Sequence, residues 1–90
     1  MNPDDRRAIG DFIDTVWAEQ GLAANTLAAY RRDLEGLAGW IGRRGGNLMD
    51  AGRADLQEYL AWRYGRGASA KTAARLLTAL RRFYRYQVRE

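Results

Sequence analysis

The feature that most constrains the fold is a helical periodicity of apolar residues, which recur at steps of three and four in four separate stretches. In the first stretch, Ile9, Phe12, Ile13, Val16 and Trp17 follow the i, i+3, i+4, i+7, i+8 pattern. This spacing places the five side chains on one face of a helix, and that face has to be buried. No stretch shows strand-like alternation of useful length, so the pattern predicts an all-α protein.

Glycine-bearing breaks separate the four stretches and predict where the helices end. We expect helices over about residues 4–19, 25–43, 53–64 and 68–89. Gly21 is expected to end the first helix, while Asn25 and Ser69 are expected to cap the second and the fourth. Because every connection is short, the helices should pack as one compact four-helix bundle.

The same periodicity predicts the core of this bundle. Leu48 and Met49 are expected to fold back from a loop and plug it, and Trp62 to cover a neighbouring side chain. Gly36 and Gly39 lie inside the second helix, where glycine is unfavourable, so we expect another helix to approach closely there. The remaining predicted core residues are Leu27, Tyr30, Leu34, Leu37, Ala38 and Ile41 in the second helix, Leu56, Tyr59 and Leu60 in the third, and Ala73, Leu76, Leu77, Leu80, Phe83 and Tyr84 in the fourth.

Charge is distributed very unevenly along the chain. Residues 59–90 contain eight basic residues and one acid, a formal charge of +7, whereas residues 1–58 contain seven basic residues and ten acids, a formal charge of −3. On the last helix, a polar face opposite the apolar stripe contains no acid at all. Its members are Lys71, Arg75, Thr78, Arg82, Arg85 and Arg89.

A polyanion is the partner that such a face favours. Solvated helices usually mix charges, because like charges four residues apart are destabilising. Arginine forks suit phosphate oxygens, and a helix N-terminus attracts anions, so the first turns with Ser69, Lys71, Thr72 and Arg75 are expected to approach a groove of the polyanion. A merely solvating face remains the alternative, and capping alone would also explain Ser69.

The composition argues against several classes of protein. With no Cys and no His, the chain has no disulfide framework, none of the usual zinc ligand sets and no imidazole base, so we expect no metal, no cofactor and no catalysis by this chain. No apolar run is long enough to span a membrane, and acids stand where a signal peptide would be apolar. The sequence therefore predicts a cytoplasmic protein without membrane contact.

Two stretches, in register and at a particular separation, resemble a known family. The first runs from Asn25-Thr26 to the segment YRRDL at 30–34, and the second joins Ser69, Lys71 and Thr72 to ARLL at 74–77 and LRRFY at 80–84. Over residues 9–88 the chain resembles the N-terminal core-binding domain of tyrosine site-specific recombinases, closely so for the Xer type.

The resemblance implies a SAM-like four-helix fold that forms one half of a clamp around duplex DNA, with its second and fourth helices toward the major groove. It also implies that strand exchange belongs to a separate catalytic domain of a longer parent protein, from which this chain is expected to be a cut piece. The piece would be monomeric and the parent tetrameric on DNA. The candidate DNA contacts are Asn25, Thr26, Arg31, Arg32, Ser69, Lys71, Thr72, Arg75 and Arg82.

An interaction module of the SAM-like type is the alternative from another class of protein. Its basic face would meet an acidic partner or a sister subunit instead of DNA. Salt titration separates the two possibilities, because phosphate binding weakens log-linearly with salt concentration. A catalytic role for the tyrosines of this chain is not expected, since none has the required arginine and histidine assembly around it.

Overall fold

Four helices build the protein in a computed structural model that describes residues 1–89. They are α1 (Pro3–Gln20), α2 (Ala24–Arg43), α3 (Arg53–Gly65) and α4 (Ala70–Arg89), and no strand occurs among the described residues. Their Cα radius of gyration is 12.5 Å, the value expected for a compact domain of this length. The predicted all-α four-helix bundle is confirmed.

Both ends of α1 are closed by local hydrogen bonds. Asn2 Oδ1 accepts a bond of 2.7 Å from the backbone N–H of Asp5 and so caps the first turn. At the other end Gly21 adopts a left-handed φ of 59°, and its N–H donates to the carbonyl of Trp17 at 3.0 Å. The predicted role of Gly21 as the end of α1 is confirmed, since this conformation favours glycine.

The two predicted N-caps have different outcomes. Ser69 does cap α4, because its Oγ accepts a 3.1 Å bond from the N–H of Thr72. The prediction for Asn25 is wrong: α2 begins at Ala24, and no side chain caps it. The first backbone hydrogen bond of α2 runs from the N–H of Leu27 to the carbonyl of Ala23 at 3.1 Å. Asn25 therefore lies inside the first turn of the helix and not before it.

The core contains most of the predicted apolar stripe, with corrections at its edges. Trp17 is 64% exposed, because it lies roughly 80° around α1 from Ile9, beyond the arc that the other helices cover. Met49 is also exposed, and Leu56, Leu60, Ala73, Leu77 and Tyr84 are only half-buried. The buried apolar residues are Ile9, Phe12, Ile13, Val16, Leu27, Ala29, Tyr30, Leu34, Leu37, Ala38, Trp40, Ile41, Leu48, Tyr59, Leu76, Ala79, Leu80 and Phe83.

Leu48 plugs the core from the α2–α3 loop, and both of its backbone polar groups are satisfied from other helices. Its N–H donates to Asp5 Oδ1 at 3.1 Å, and its carbonyl accepts a 2.8 Å bond from the hydroxyl of Tyr84. Burial, assisted by the charges of Asp5 and Asp55, raises the pKa of the Tyr84 phenol, so this hydroxyl stays protonated and donates. The loop is thereby held between α1 and α4.

Gly36 is a place where α3 packs closely on α2, through the side chain of Tyr59. A Cβ added there would lie 2.8 Å from the hydroxyl oxygen of buried Tyr59. The predicted close approach is therefore confirmed at Gly36. It is wrong at Gly39, where an added Cβ would meet only Arg43 of the same helix at an ordinary 3.6 Å.

The described residues contain neither a candidate membrane span nor a candidate metal site. In residues 1–89 no helix combines the length and the apolar character needed to cross a bilayer. Over the same range, Asp and Glu residues form no group of three or more that could hold a metal ion.

Candidate nucleic-acid interface

The outward face of α4 is a cationic strip, which we define as Lys71, Arg81 and Arg85. All three side chains are exposed, and Ala74 and Thr78 are the exposed residues between them. Within residues 1–89, no hydrogen bond or ion pair holds the charged end of any of the three. The strip faces away from the bundle because the opposite side of α4 carries the buried residues Leu76, Ala79, Leu80 and Phe83.

Arg75 does not belong to this free surface. Its Nε donates to Asp33 Oδ2 at 2.9 Å and its Nη2 to Asp33 Oδ1 at 2.8 Å, a two-pronged ion pair between α4 and α2. The Asp33 side chain is only 3% exposed, whereas that of Arg75 is 38% exposed. Hydrogen bonding to Asp33 raises the pKa of the Arg75 guanidinium, although partial burial opposes the shift. The charge of Arg75 is thus compensated from within the chain.

Two more cations of the predicted face bend back toward α1. Arg82 Nη1 donates to Gln20 Oε1, and Arg89 Nη2 lies 3.1 Å from Glu19 Oε2 in an exposed ion pair. The polar face of α4 itself contains no acid, but the fold brings Asp33 and Glu19 to two of its cations. The partners come from α1 and α2, which are distant in sequence and could not be seen on a wheel of α4 alone.

These contacts place the first half of α2 beside α4. Gln20 precedes α2 and bonds to Arg82, whereas Asp33 lies in the middle of α2 and bonds to Arg75. Since Arg75 and Arg82 are about 10 Å apart along α4, the N-terminal half of α2 runs close to this stretch. The structure thus places α2, which carries one predicted group of DNA contacts, beside α4, which carries the other.

The four candidates on α2 differ in accessibility. Asn25 and Arg32 are exposed, while Thr26 and Arg31 are half-buried. Arg32 directly precedes Asp33, but a step of about 100° around the helix turns it away from the ion pair and toward solvent. Asn25 and Arg32 are consequently the α2 candidates that are most open to a partner.

The candidates at the start of α4 are partly occupied by capping. The Ser69 hydroxyl donates to Thr72 Oγ1 at 3.0 Å in addition to accepting the Thr72 N–H. Ser69 and Thr72 are therefore already engaged with each other. Of the predicted residues in this turn, only Lys71 offers an exposed charge without a partner among the described residues.

Arg81 and Arg85 are the members of the strip that the candidate contacts did not include. The predicted apolar stripe contained no signal for them, because it includes Ala73, Leu77 and Tyr84 and so places the opposite direction near Lys71, Arg75 and Arg82. In the structure Ala73, Leu77 and Tyr84 are only half-buried. The buried arc centres on Leu76, Ala79, Leu80 and Phe83, which turns the outward direction to Arg81 and Arg85.

A second basic surface lies on α3, where arginines are held by aromatic side chains. Arg66 lies 5.1 Å from the centre of the Trp62 ring, and Arg63 Nη1 donates to the Tyr59 hydroxyl at 3.1 Å. Trp62 also stacks on Tyr59 with 5.9 Å between ring centres, which confirms that it covers a neighbour. Part of the positive charge of residues 59–90 therefore lies away from the strip.

The bundle matches a known protein family. Residues 9–90 match the family described as "Phage integrase, N-terminal SAM-like domain". The chain belongs to this family. The four-helix bundle is therefore the SAM-like fold that the resemblance implied.

The curated relatives of this chain are tyrosine recombinases of the Xer type. The chain is 51% identical over 84 residues to tyrosine recombinase XerD of Xanthomonas axonopodis pv. citri (strain 306). The matched residues cover 93% of this chain and 28% of that protein. It is 44% identical over 90 residues to tyrosine recombinase XerD of Yersinia pestis, covering all of this chain and 30% of that protein. The chain thus spans between a quarter and a third of the length of these relatives. No solved structure matches it.

Proposed function

We propose that this chain is a DNA-binding module of a tyrosine site-specific recombinase. It grips duplex DNA at a recombination site as one half of a clamp, and a separate catalytic domain of the parent protein carries out strand exchange. Membership of the integrase family and the names of the XerD relatives support the class of parent protein. The exposed cations of α4 support the role of this part.

The cationic strip is the observation that carries the proposal. Lys71 and Arg85 are separated by about 21 Å along α4, a distance over which the strip can contact several phosphates of one duplex. Its three charges have no carboxylate partner among the described residues, so their attraction for an anion is not compensated from within the chain. Phosphate contacts of this kind position a protein on duplex DNA.

The helices α2 and α4 would share the contacts. In this proposal Lys71, Arg81, Arg85 and Arg32 bind phosphates, while Asn25 is exposed in the first turn of α2. The remaining candidates are secondary: Thr26 and Arg31 are half-buried, Ser69 and Thr72 bond to each other, and Arg82 bonds to Gln20.

Charge reversal of the strip tests the proposal. We expect Arg81→Glu combined with Arg85→Glu to abolish measurable binding to a 20-base-pair duplex at moderate salt, with an unchanged helical circular dichroism spectrum. In the milder pair Arg81→Gln and Arg85→Gln, the slope of log affinity against log salt should fall by about 2, since each phosphate contact contributes about 0.9. Fluorescence anisotropy of a labelled duplex measures both.

Arg6→Glu combined with Arg7→Glu is the matched control, because it makes the same change in charge at exposed positions of α1. At a salt concentration that screens long-range attraction, this control should retain most of the affinity that wild type has at the same salt concentration. Equal losses in both double variants would show that only net charge matters and would contradict the proposed interface. A folded wild-type chain without duplex affinity at low salt would contradict the function itself.

Strand exchange is assigned to the parent protein and not to this chain. Tyr30 and Tyr59 are buried, and Tyr84 donates its hydroxyl to the Leu48 carbonyl. The raised pKa of Tyr84 makes its phenolate still less accessible near neutral pH. These surroundings support a binding role, in keeping with the absence of His from the sequence.

A protein contact is a second candidate function for a different part of the surface. Trp17, in the C-terminal half of α1, is 64% exposed. Large exposed apolar side chains favour protein contacts, and a parent tetramer on DNA would supply a sister subunit. Trp17→Ala should leave the salt slope of DNA binding unchanged, which separates this surface from the cationic strip.

A further inference from the structure

The guanidinium of Arg75 is held by Asp33 along one edge only. Arginine has five N–H groups, and the bonds from Nε and Nη2 to Asp33 use two of them. Three remain, including both on Nη1. Because Asp33 is 3% exposed while the Arg75 side chain is 38% exposed, the bonded edge faces the interior and the edge with the remaining donors faces the surface.

This arrangement suits a directed hydrogen bond better than a phosphate contact. The buried carboxylate compensates the charge of Arg75, which weakens its attraction for a phosphate. The same carboxylate fixes the plane and direction of the fork, so little side-chain freedom is lost when the fork binds a second acceptor pair. In duplex DNA, the acceptor pair that matches an arginine fork is O6 and N7 of guanine in the major groove.

The position of Arg75 in the bundle is consistent with such a role. It lies one helical turn after Lys71, at the place where α4 meets the N-terminal half of α2. Phosphate contacts from Lys71 and Arg81 would hold α4 against the duplex, with Arg75 about 40° around the helix from Lys71, on the side toward α2. These contacts would supply affinity, whereas Arg75 would supply base preference.

We infer that Asp33 is a positioning residue that holds Arg75 so that its outer edge reads a guanine in the major groove. This inference rests on the proposed function, since it requires a duplex bound along α2 and α4. It assigns separate tasks to the cations of α4: Lys71, Arg81 and Arg85 bind the backbone, and Arg75 distinguishes one base pair.

The first experiment asks whether the preferred duplex contains such a guanine. The full 90-residue chain selects from a pool of 20-base-pair duplexes with a randomised centre, and the enriched sequence is then synthesised with single-base changes. Replacing the critical guanine by 7-deazaguanine, which lacks N7, should weaken binding at least fivefold. Replacing it by inosine should not weaken binding, because inosine keeps both O6 and N7 in the major groove.

The second experiment links this preference to Asp33. In Asp33→Asn the fork loses its second acceptor, and we expect the preference for the selected duplex over the same duplex with an A·T pair at that position to fall roughly 5- to 150-fold. Affinity for an unrelated duplex should stay equal or rise, because the variant has one negative charge fewer. A residue that only stabilised the fold would lower the affinities for the selected and the unrelated duplex alike.

Two variants serve as controls. Asp14→Asn makes the same charge change at an exposed position of α1 and should leave the base preference intact. Arg75→Lys keeps the charge but removes the planar fork, so it should lose the preference as Asp33→Asn does, and it shows whether Arg75 reads the base even if Asp33→Asn does not fold.

The possible failures can be told apart. A wild-type chain that binds duplexes without any base preference, or an Asp33→Asn or Arg75→Lys variant that keeps the full preference, would overturn this inference and leave the DNA-binding proposal standing. A folded wild-type chain that binds no duplex would overturn both.

Discussion

At the scale of single residues, the most informative side chains are polar ones that meet partners far away in sequence. Arg75 and Asp33 show why this matters for mutagenesis. Glutamate at position 75 would face the buried carboxylate of Asp33, and an uncompensated buried charge costs about 3–5 kcal/mol. Charge reversal at Arg75 would therefore combine loss of stability with any loss of binding, so Arg81 and Arg85 are the cleaner positions.

Tyr84 gives a prediction for stability against pH. Its pKa is raised in the folded state, so the phenol contributes its full stabilisation below the unfolded-state pKa of about 10 and loses it progressively as the pH rises above that value. Urea unfolding between pH 8 and 11 should show wild type losing up to about 1.4 kcal/mol per pH unit more than Tyr84→Phe.

Tyr84→Phe is the reference for wild type in this experiment, because the substitution keeps the ring and removes only the hydroxyl. At pH 8 we expect it to be less stable than wild type by about 1–3 kcal/mol, since the half-buried bond to the Leu48 carbonyl is lost. Parallel pH profiles for the two proteins would contradict the account of Tyr84.

At the scale of helices, the crossing of α2 and α3 depends on the missing side chain of Gly36. The aromatic rings of Trp40, Tyr59 and Trp62 pack together at this crossing, with ring centres 5.4 to 6.4 Å apart. Buried Tyr59 has little room to move away from an added methyl group. The glycine is kept at the contact even though it weakens α2 as an isolated helix.

Alanine at Gly36 should therefore destabilise the protein, by about 1–3 kcal/mol, despite the higher helix propensity of alanine. Gly10→Ala is the matched control, since Gly10 lies inside α1 and an added Cβ there meets nothing within 4 Å. The control should be neutral or stabilised by up to about 1 kcal/mol. Thermal or urea unfolding of both variants measures the difference, and equal stabilisation of the two would contradict the close packing at Gly36.

At the scale of the whole molecule, the charges of the two parts of the chain are opposed, with −3 over residues 1–58 and +7 over residues 59–90. Folding partly neutralises these charges, because Asp33 pairs with Arg75 and Glu19 pairs with Arg89. What remains is a bundle with a cationic α4 strip and α1 acids such as Asp11 and Asp14 exposed. Such a distribution favours one orientation on a polyanion.

We expect the chain alone to be monomeric in solution. Its exposed large apolar residues are scattered over several helices, and the cationic strips of two copies would repel each other. Analytical ultracentrifugation at moderate salt should give the mass of one chain, with Trp17→Ala unchanged. A stable dimer that Trp17→Ala dissociates would instead show that the second candidate surface functions in this chain alone.

Much of this protein followed from local pattern. The four helices, the ends at Gly21 and Ser69, the buried stripes and the family could be predicted, because periodicity and capping act over a few residues. Trp17 and Leu56 were misjudged because a wheel shows which face is apolar but not how wide an arc the neighbouring helices cover. Asn25 was misjudged because a backbone ladder can begin before a good capping residue.

The sequence by itself determined that a surplus of cations would be displayed on the last helix of an all-α bundle. Only the tertiary structure decided which of those cations are free: it pairs Arg75 with Asp33 and Arg82 with Gln20, and it leaves Lys71, Arg81 and Arg85 exposed. The physical reason is range. Helix formation depends on residues three or four positions apart, whereas a charge is compensated by whatever carboxylate or amide the fold brings to it, here from 42 and 62 residues away.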